Sequence, residues 1–490
     1  MEWLSNIPVI GPVLHFLVIL LEVMLVFNLL ILVHEWGHFL AARWRGLKVE
    51  KFYIWFGKPI WKKTMNGVEY GMGSIPLGGF VALPQMGPMG GIEGDDANGE
   101  KLPAIKPLDK IIVAFAGPLF SFLLACLFAV LVWQIGMPDR RIHTTTIGWV
   151  KAGSPGDKAG LKPNDKILAI DGTPVESWDE PVNSVKERIA FSKSPKIAFT
   201  VQRPGEAVPR VIESGYDVEA GTLFSRRGLR TVGLIWTEEA KVYDVLKNSA
   251  AEAAGLKKDD VITALNGAPL YSHFAVYDVF EGKADATAKL TVQRDGKTFD
   301  ATITGRSPTK PEKLPEEWKG LAHTGLLFTG VTKEEAIVNP PPGRQIKDAA
   351  TMMANTFGAV FGSRGDVGIQ QMGGPVKIFS TYYQLFTLPS GWKLVLWFSV
   401  ILNVNLALMN LIPFPVFDGG HIVMGIGEMI RRKSVLPWVI MEKIQMACVI
   451  MLLGFFVYVT WFDTFDLVGN GKKKDADPKL KIEDIQYPAK

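Results

Sequence analysis

The sequence predicts a polytopic α-helical membrane protein, with four transmembrane helices and two β-rich domains inserted between the second and the third. Three observations lead there. Four long apolar runs are separated by polar chain, and a stretch inside the longest polar segment repeats itself at an offset of 95 residues. The bulk composition, 48% hydrophobic and 21% charged over 490 residues, looks like that of an ordinary soluble protein, so it is an average over two unlike parts.

The apolar runs cover residues 7–33, 111–137, 394–417 and 444–462. Only His15, Glu22 and Asn28 interrupt the first, and the other three carry no charge. Each reaches the roughly 18–20 residues that cross a bilayer core. The first is expected to be retained as a helix. No Lys or Arg stands in Met1-Glu2-Trp3, and no small-residue cleavage site follows, so a signal peptide is the poorer reading. Arg43, Arg45, Lys48, Lys51, Lys58, Lys62 and Lys63 follow the first run, and Arg431, Arg432 and Lys433 separate the third from the fourth. Basic loops stay cytoplasmic, which puts the segment 138–391 and both ends outside. Lys472, Lys473 and Lys474 weigh mildly against this, diluted by Asp475 and Asp477. Lys and Arg total 53 against 49 Asp and Glu, a net +4 that does not suggest a nucleic-acid binder. Two cysteines, Cys126 and Cys448, both in apolar runs, exclude a disulfide scaffold and a Cys-rich zinc module.

The repeat aligns Ala159-Gly160-Leu161-Lys162 with Ala254-Gly255-Leu256-Lys257, and Asp165, Ile167, Gly172 and Pro174 with Asp260, Ile262, Gly267 and Pro269. Thr200-Val201-Gln202-Arg203 returns as Thr291-Val292-Gln293-Arg294, and Val232-Gly233-Leu234 is echoed by Thr324-Gly325-Leu326. Within each copy an apolar strand runs into Asp171-Gly172 or Asn266-Gly267, a hairpin signal. These residues resemble PDZ domains, which take extended peptides at a sheet edge. Asn164 and Asp259 stand where the PDZ pattern usually has glycine before Asp.

His34-Glu35-Trp36-Gly37-His38, at the end of the first run, is an H-E-x-x-H motif. On a helix the two imidazoles share one face and can hold one zinc ion, with Glu35 beside them as a general base. Catalytic zinc usually has three protein ligands and a water. Trp44 stands where a third histidine of the metzincin type would be, and Glu50 and Glu69 are weak candidates. Asp418 is stronger, because Asn410-Leu411-Ile412-Pro413-Phe414-Pro415 breaks the third run just before Asp418-Gly419-Gly420, and an Asp at that depth needs a partner. His421 is the rival ligand.

The pairing of H-E-x-x-H with a distant N-x-x-P-x-P-x-x-D-G, and the two PDZ-like units between them, resembles the site-2 protease family of intramembrane zinc metalloproteases. The resemblance covers residues 20–465. It implies Zn2+ held by His34, His38 and Asp418, Glu35 as the catalytic base, and Asn410 in contact with the substrate backbone. It further implies a short membrane-associated β-sheet in the segment 68–81 and an amphipathic surface helix near 344–361. The implied partners are the lipid membrane, single-pass membrane proteins already trimmed by another protease, and peptide termini at the PDZ-like units. An anti-sigma factor and signal-peptide remnants are the expected substrates, and a bacterial inner membrane is the expected location. Phe417 replaces the family's usual Leu, the Gly- and Met-rich loop 86–99 is unusual, and residues 469–490 have no counterpart.

The expected organisation is a first helix to residue 42, a cytoplasmic loop with the sheet over 43–106, a second helix over 107–137, and PDZ-like domains over 143–238 and 239–331. A linker with the amphipathic helix follows over 332–390, then a third helix over 391–420, a fourth over 436–465 and a tail over 466–490. A catalytically silent adaptor, which has no use for Glu35, is the main rival. A metal transporter lacks the repeated intramembrane polar residues it would need.

Overall fold

A computed structural model of the chain describes residues 10–86, 105–139, 141–222, 224–311, 318–328, 336–362, 367–433, 437–474 and 485–488. Most of the Gly- and Met-rich loop and much of the tail therefore lie outside the described residues. The chain divides into two compact units. The first holds Met1–Pro138, Ile337–Ala354 and Gly373–Thr460, and the second holds Asp139–Ala336, Asn355–Met372 and Trp461–Lys490.

The first unit is mainly helical, with one small sheet. In chain order come α1 (Ile10–Trp44), the strands β1 (Lys51–Met65) and β2 (Val68–Ala82), and α2 (Pro107–Ile135). Then follow α3 (Pro342–Val360), α4 (Pro375–Thr387), α5 (Gly391–Asn410), α6 (Asp418–Arg431) and α7 (Trp438–Lys474), with α3 and α7 running on into the second unit. Four helices, α1, α2, α5 and α7, are long and apolar enough to cross a membrane. The shortest has 20 residues, and at 1.5 Å per residue that spans roughly the 30 Å of a hydrocarbon core.

Helix α2 lies at the centre. Its Leu124, Ala125, Phe128 and Ala129 are buried against Leu30 of α1, Ala349 of α3, and Val400, Ile401 and Val404 of α5. Ile19 and Val23 of α1 meet Tyr382 of α4 and Val395 of α5, and the Tyr382 hydroxyl lies 2.9 Å from Ser399 Oγ. The opposite faces carry exposed Leu17, Leu21 and Leu25 on α1 and Leu123 and Leu127 on α2. Such stripes on long helices are stable against lipid and not against water.

The third apolar run stops being helical at Asn410, ten residues short of the expected end of that element. Pro413 and Pro415 cannot continue the backbone ladder, and α6 begins afresh at Asp418. Gly419 is needed for this reversal, since a Cβ there would overlap the carbonyls of Leu411 and Ile412.

Strands β1 and β2 coil into a sheet of four segments. Residues 51–54 pair with 69–72 on one side and with 79–82 on the other, while Trp61 to Met65 pair with the start of β2. Among the described residues the segment 79–82 has a strand neighbour on one side only.

The second unit contains two similar β-rich parts. In the first, Thr173–Pro174, Lys166–Ile170, Ile197–Gln202 and Arg210–Ser214 form one sheet in that order, and Ile147–Val150 pairs with Leu234–Trp236. In the second, the order is Lys297–Thr304, Thr287–Arg294, Val261–Leu265, Ala240–Val245 and Leu326–Phe328. Ile167, Ile170, Phe199 and Val201 fill one core; Ile262, Leu290, Val292 and Ile303 fill the other. The copies share their fastenings. Ser154 and Ser249 each cap a short helix, accepting from the amides of Asp157 and Glu252. Arg203 grips the buried Asp165 and Arg294 grips the buried Asp260, each pair at 2.7 Å, and the same guanidinium reaches the carbonyl of Gly160 or Gly255. Asn164 and Asp259 both have positive φ, 71° and 69°. The backbone there calls for a left-handed residue, and Asn and Asp are the non-glycine types that accept it best.

Candidate metal centre

His34 and His38 lie one turn apart on α1 and turn their rings toward α2. His38 Nδ1 donates to the Val113 carbonyl at 2.8 Å, and His34 Nδ1 lies 3.0 Å from the fully buried Ser121 Oγ. Outer contacts of this kind fix an imidazole's tautomer and orientation and leave Nε2 as the donor atom. Gly117 makes room for the pair, because a Cβ there would overlap His38 Nε2 and come within 2.9 Å of His34 Cε1.

Asp418 comes to the same point from the start of α6. Its Oδ2 is 3.4 Å from His34 Nε2 and its Oδ1 is 3.4 Å from His38 Nε2; the two Nε2 atoms are 3.2 Å apart. Zinc binds nitrogen and carboxylate oxygen at about 2.0–2.2 Å, so donors on a tetrahedron stand about 3.3–3.5 Å from one another. The separations are close to that spacing, with the carboxylate turning one oxygen toward each imidazole, and one donor atom from each of the three residues would leave a fourth position open. Among the described residues, His34, His38 and Asp418 form the group able to hold a metal ion. The donor set therefore fits zinc.

Glu35 and Asn410 line the same cavity of about 360 Å³. Asn410 Nδ2 is 3.5 Å from His34 Nε2. Glu35 packs toward β2, where a Cβ on Gly79 would lie 3.7 Å from its Cγ. Phe80 and Val81 continue the wall, so the edge segment 79–82 borders the cavity.

His421 also lines the cavity but stands outside the three-donor group. Its Nδ1 is buried without a hydrogen-bond partner among the described residues. Glu50 and Glu69 are engaged elsewhere. Glu69 accepts from Tyr53 Oη at 2.6 Å and pairs with Lys62 at 2.9 Å, and Glu50 pairs with Lys48 at 3.3 Å. Sequence reasoning missed Ser121, Val113 and Gly117. The one signal available was Gly117-Pro118 inside an otherwise continuous apolar helix.

Residues 22–455 match the family model described as Peptidase family M50. The regulator of sigma E protease of Haemophilus influenzae is 28% identical, covering 89% of this chain and 95% of that one. The regulator of sigma-E protease RseP of Escherichia coli is 26% identical, covering 86% and 92%. The metalloprotease MmpA of Caulobacter vibrioides is 25% identical, covering 93% and 98%. A solved PDZ domain of an SdrC-like protein from Listeria monocytogenes aligns at 22% identity and a TM-score of 0.14, covering 16% of this chain and 79% of its own, too poor a superposition to identify either β-rich part.

Proposed function

The chain belongs to peptidase family M50, and from that premise we propose that this zinc metallopeptidase cuts single-pass membrane proteins within or beside the bilayer, at a centre built from His34, His38 and Asp418. The observation that carries the reading is the convergence of three residues, with the two imidazole Nε2 atoms 3.2 Å apart and each 3.4 Å from one oxygen of the Asp418 carboxylate, and with Glu35 in the same cavity.

Zinc, when bound there, supplies a Lewis acid that polarises a carbonyl and lowers the pKa of a water to about 7. Glu35 takes the proton from the attacking water and carries it to the leaving amine. Asn410 donates its amide to the substrate backbone beside His34. A peptide bond in a membrane helix is shielded by its own hydrogen bonds, so the substrate must be extended before attack. The segment 79–82, which has no strand on its outer side among the described residues, offers the backbone partners that an extended strand needs at that depth. Phe56 and Phe80 wall the cavity beside that edge and exclude water from the apolar flanks of the substrate.

The two β-rich parts of the second unit act as PDZ-like domains on the extracytoplasmic side of a bacterial inner membrane, admitting substrates whose outer domains have already been trimmed. The shared caps and Arg–Asp clamps support two copies of one domain. The names of two relatives, regulators of sigma E, favour a membrane-anchored regulator of a sigma factor as substrate, with signal-peptide remnants as the second class.

Glu35→Gln tests the reading in the full-length protein with a reporter that carries one spanning helix. Zinc content should stay at the wild-type level while cleavage falls by about 10²–10⁴-fold, the range of a lost general base. Unchanged cleavage would remove Glu35 from the mechanism.

A further inference from the structure

Residues 485–488 fall in the stretch to which the sequence assigns no role, yet they are seated on the second β-rich part. Ile485 and Tyr487 are buried, 5% and 6% exposed, in a cluster with Ala322, Leu246, Trp318 and Leu321. Between them Gln486 makes an antiparallel bridge to Lys310. The Gln486 amide donates to the Lys310 carbonyl at 3.1 Å, and the Gln486 carbonyl accepts from the Thr309 amide at 2.7 Å and from Thr309 Oγ1 at 3.0 Å. The Tyr487 hydroxyl donates to the Ala322 carbonyl at 2.6 Å, a buried hydrogen bond.

We propose that this surface is a built-in peptide-binding site, whose occupant is the chain's own Ile485-Gln486-Tyr487-Pro488. It takes an extended segment with an apolar residue two positions before a tyrosine. Backbone bridging supplies the attachment, as in strand addition, and the two alternate side chains supply selectivity. The site is separate from the outer edge of Leu326–Phe328, which ends its sheet among the described residues and where a strand would add.

The contact has a mechanical consequence. Tyr487 fastens the helix Lys319–Thr324, which ends at Gly325 in a left-handed conformation and runs directly into Leu326–Phe328. A Cβ on Gly325 would overlap Ser249 at 2.1 Å and lie 3.2 Å from the Tyr487 hydroxyl, so the seated segment adds a second wall to a turn already held against Ser249. Whatever unseats 485–488 loosens the turn that sets the edge strand, and by linkage a peptide on that edge alters the hold on the segment. The corresponding Gly233 in the first β-rich part lies against Ser154 in the same way, with Lys151 where Gly325 has Tyr487.

Hydrogen exchange read by mass spectrometry on the full-length protein tests this, and the readout requires neither zinc nor cleavage, so its failure is separable from failure of the peptidase reading. In Ile485→Asp/Tyr487→Ala, exchange should rise at least about tenfold at Thr309 and across 319–326, with residues 228–236 of the first part unchanged. Tyr487→Phe, which keeps the ring and removes one hydrogen bond, should give a smaller rise at the same positions. A peptide Ile-Glu-Asp-Ile-Gln-Tyr-Pro added to the double variant should restore protection. Unchanged exchange in the double variant, or loss of protection throughout 287–304 with no rescue by the peptide, would overturn the proposal.

Discussion

His38 donates a hydrogen bond from Nδ1 to the Val113 carbonyl, and His34 Nδ1 meets the Ser121 hydroxyl, so each ring presents Nε2 toward Asp418. Ser121→Ala should leave the helix packing intact and weaken zinc binding by about 10–100-fold, measured by competition with a chelator. Wild-type affinity in that variant would mean that Ser121 does not orient His34. Gly117→Ala should cost more, because the added methyl group would occupy the place of His38 Nε2. The two histidines were legible in the sequence because i and i+4 share a helix face. Ser121 was not, since nothing in an apolar run shows which small polar side chain faces a partner. Asp418 and His421, three residues apart, could not be ranked by spacing. Packing separates them: the two carboxylate oxygens reach the imidazoles, and His421 stays outside the donor group.

At the level of elements, two features are open to direct test. Removing Arg203 leaves Asp165 buried and unpaired, and removing Arg294 does the same to Asp260. Arg203→Ala and Arg294→Ala should each destabilise its own β-rich part by roughly 3 kcal/mol, the low end for a broken buried pair because both guanidinium groups are partly in water. Thermal unfolding should show the two losses adding in the double variant. A loss much smaller than this would remove the clamp as the element that holds each copy. The second feature is Asp139. Burial pushes its carboxyl up, but hydrogen bonds from Arg141 and His143 outweigh that and hold it at about 2, below the ordinary 3.8. A depressed carboxyl stabilises the fold fully above its unfolded value, so this contribution should disappear as pH falls from about 3.8 to about 2. The melting temperatures of wild type and Asp139→Asn should therefore converge over that window; a gap independent of pH would contradict the assignment. The apolar helices could be read from their length, and the hairpins of the repeats from Asp171-Gly172 and Asn266-Gly267. The strand β1 could not, because its lysines, its tryptophans and Pro59 look like a loop until β2 pairs with them. Nor could α6, whose first turn is Asp418-Gly419-Gly420, poor helix formers whose two glycines fit because a Cβ on either would overlap carbonyls of the turn before them.

Over the whole molecule, the ordinary composition resolves into helices that expose leucine and β-rich parts with sealed cores, and the donor set joins the first of those helices to a turn 380 residues further along the chain. Zinc chemistry at this centre requires that union of distant segments, and metal content tests it most directly. Purified wild-type protein and the variants Asp418→Ala and His421→Ala should be compared for zinc bound per chain after dialysis against a weak chelator. Wild type and His421→Ala should each retain about one zinc per chain, and Asp418→Ala should retain almost none. Full retention in Asp418→Ala together with loss in His421→Ala would show that the third ligand is His421 and that Asp418 does not complete the site.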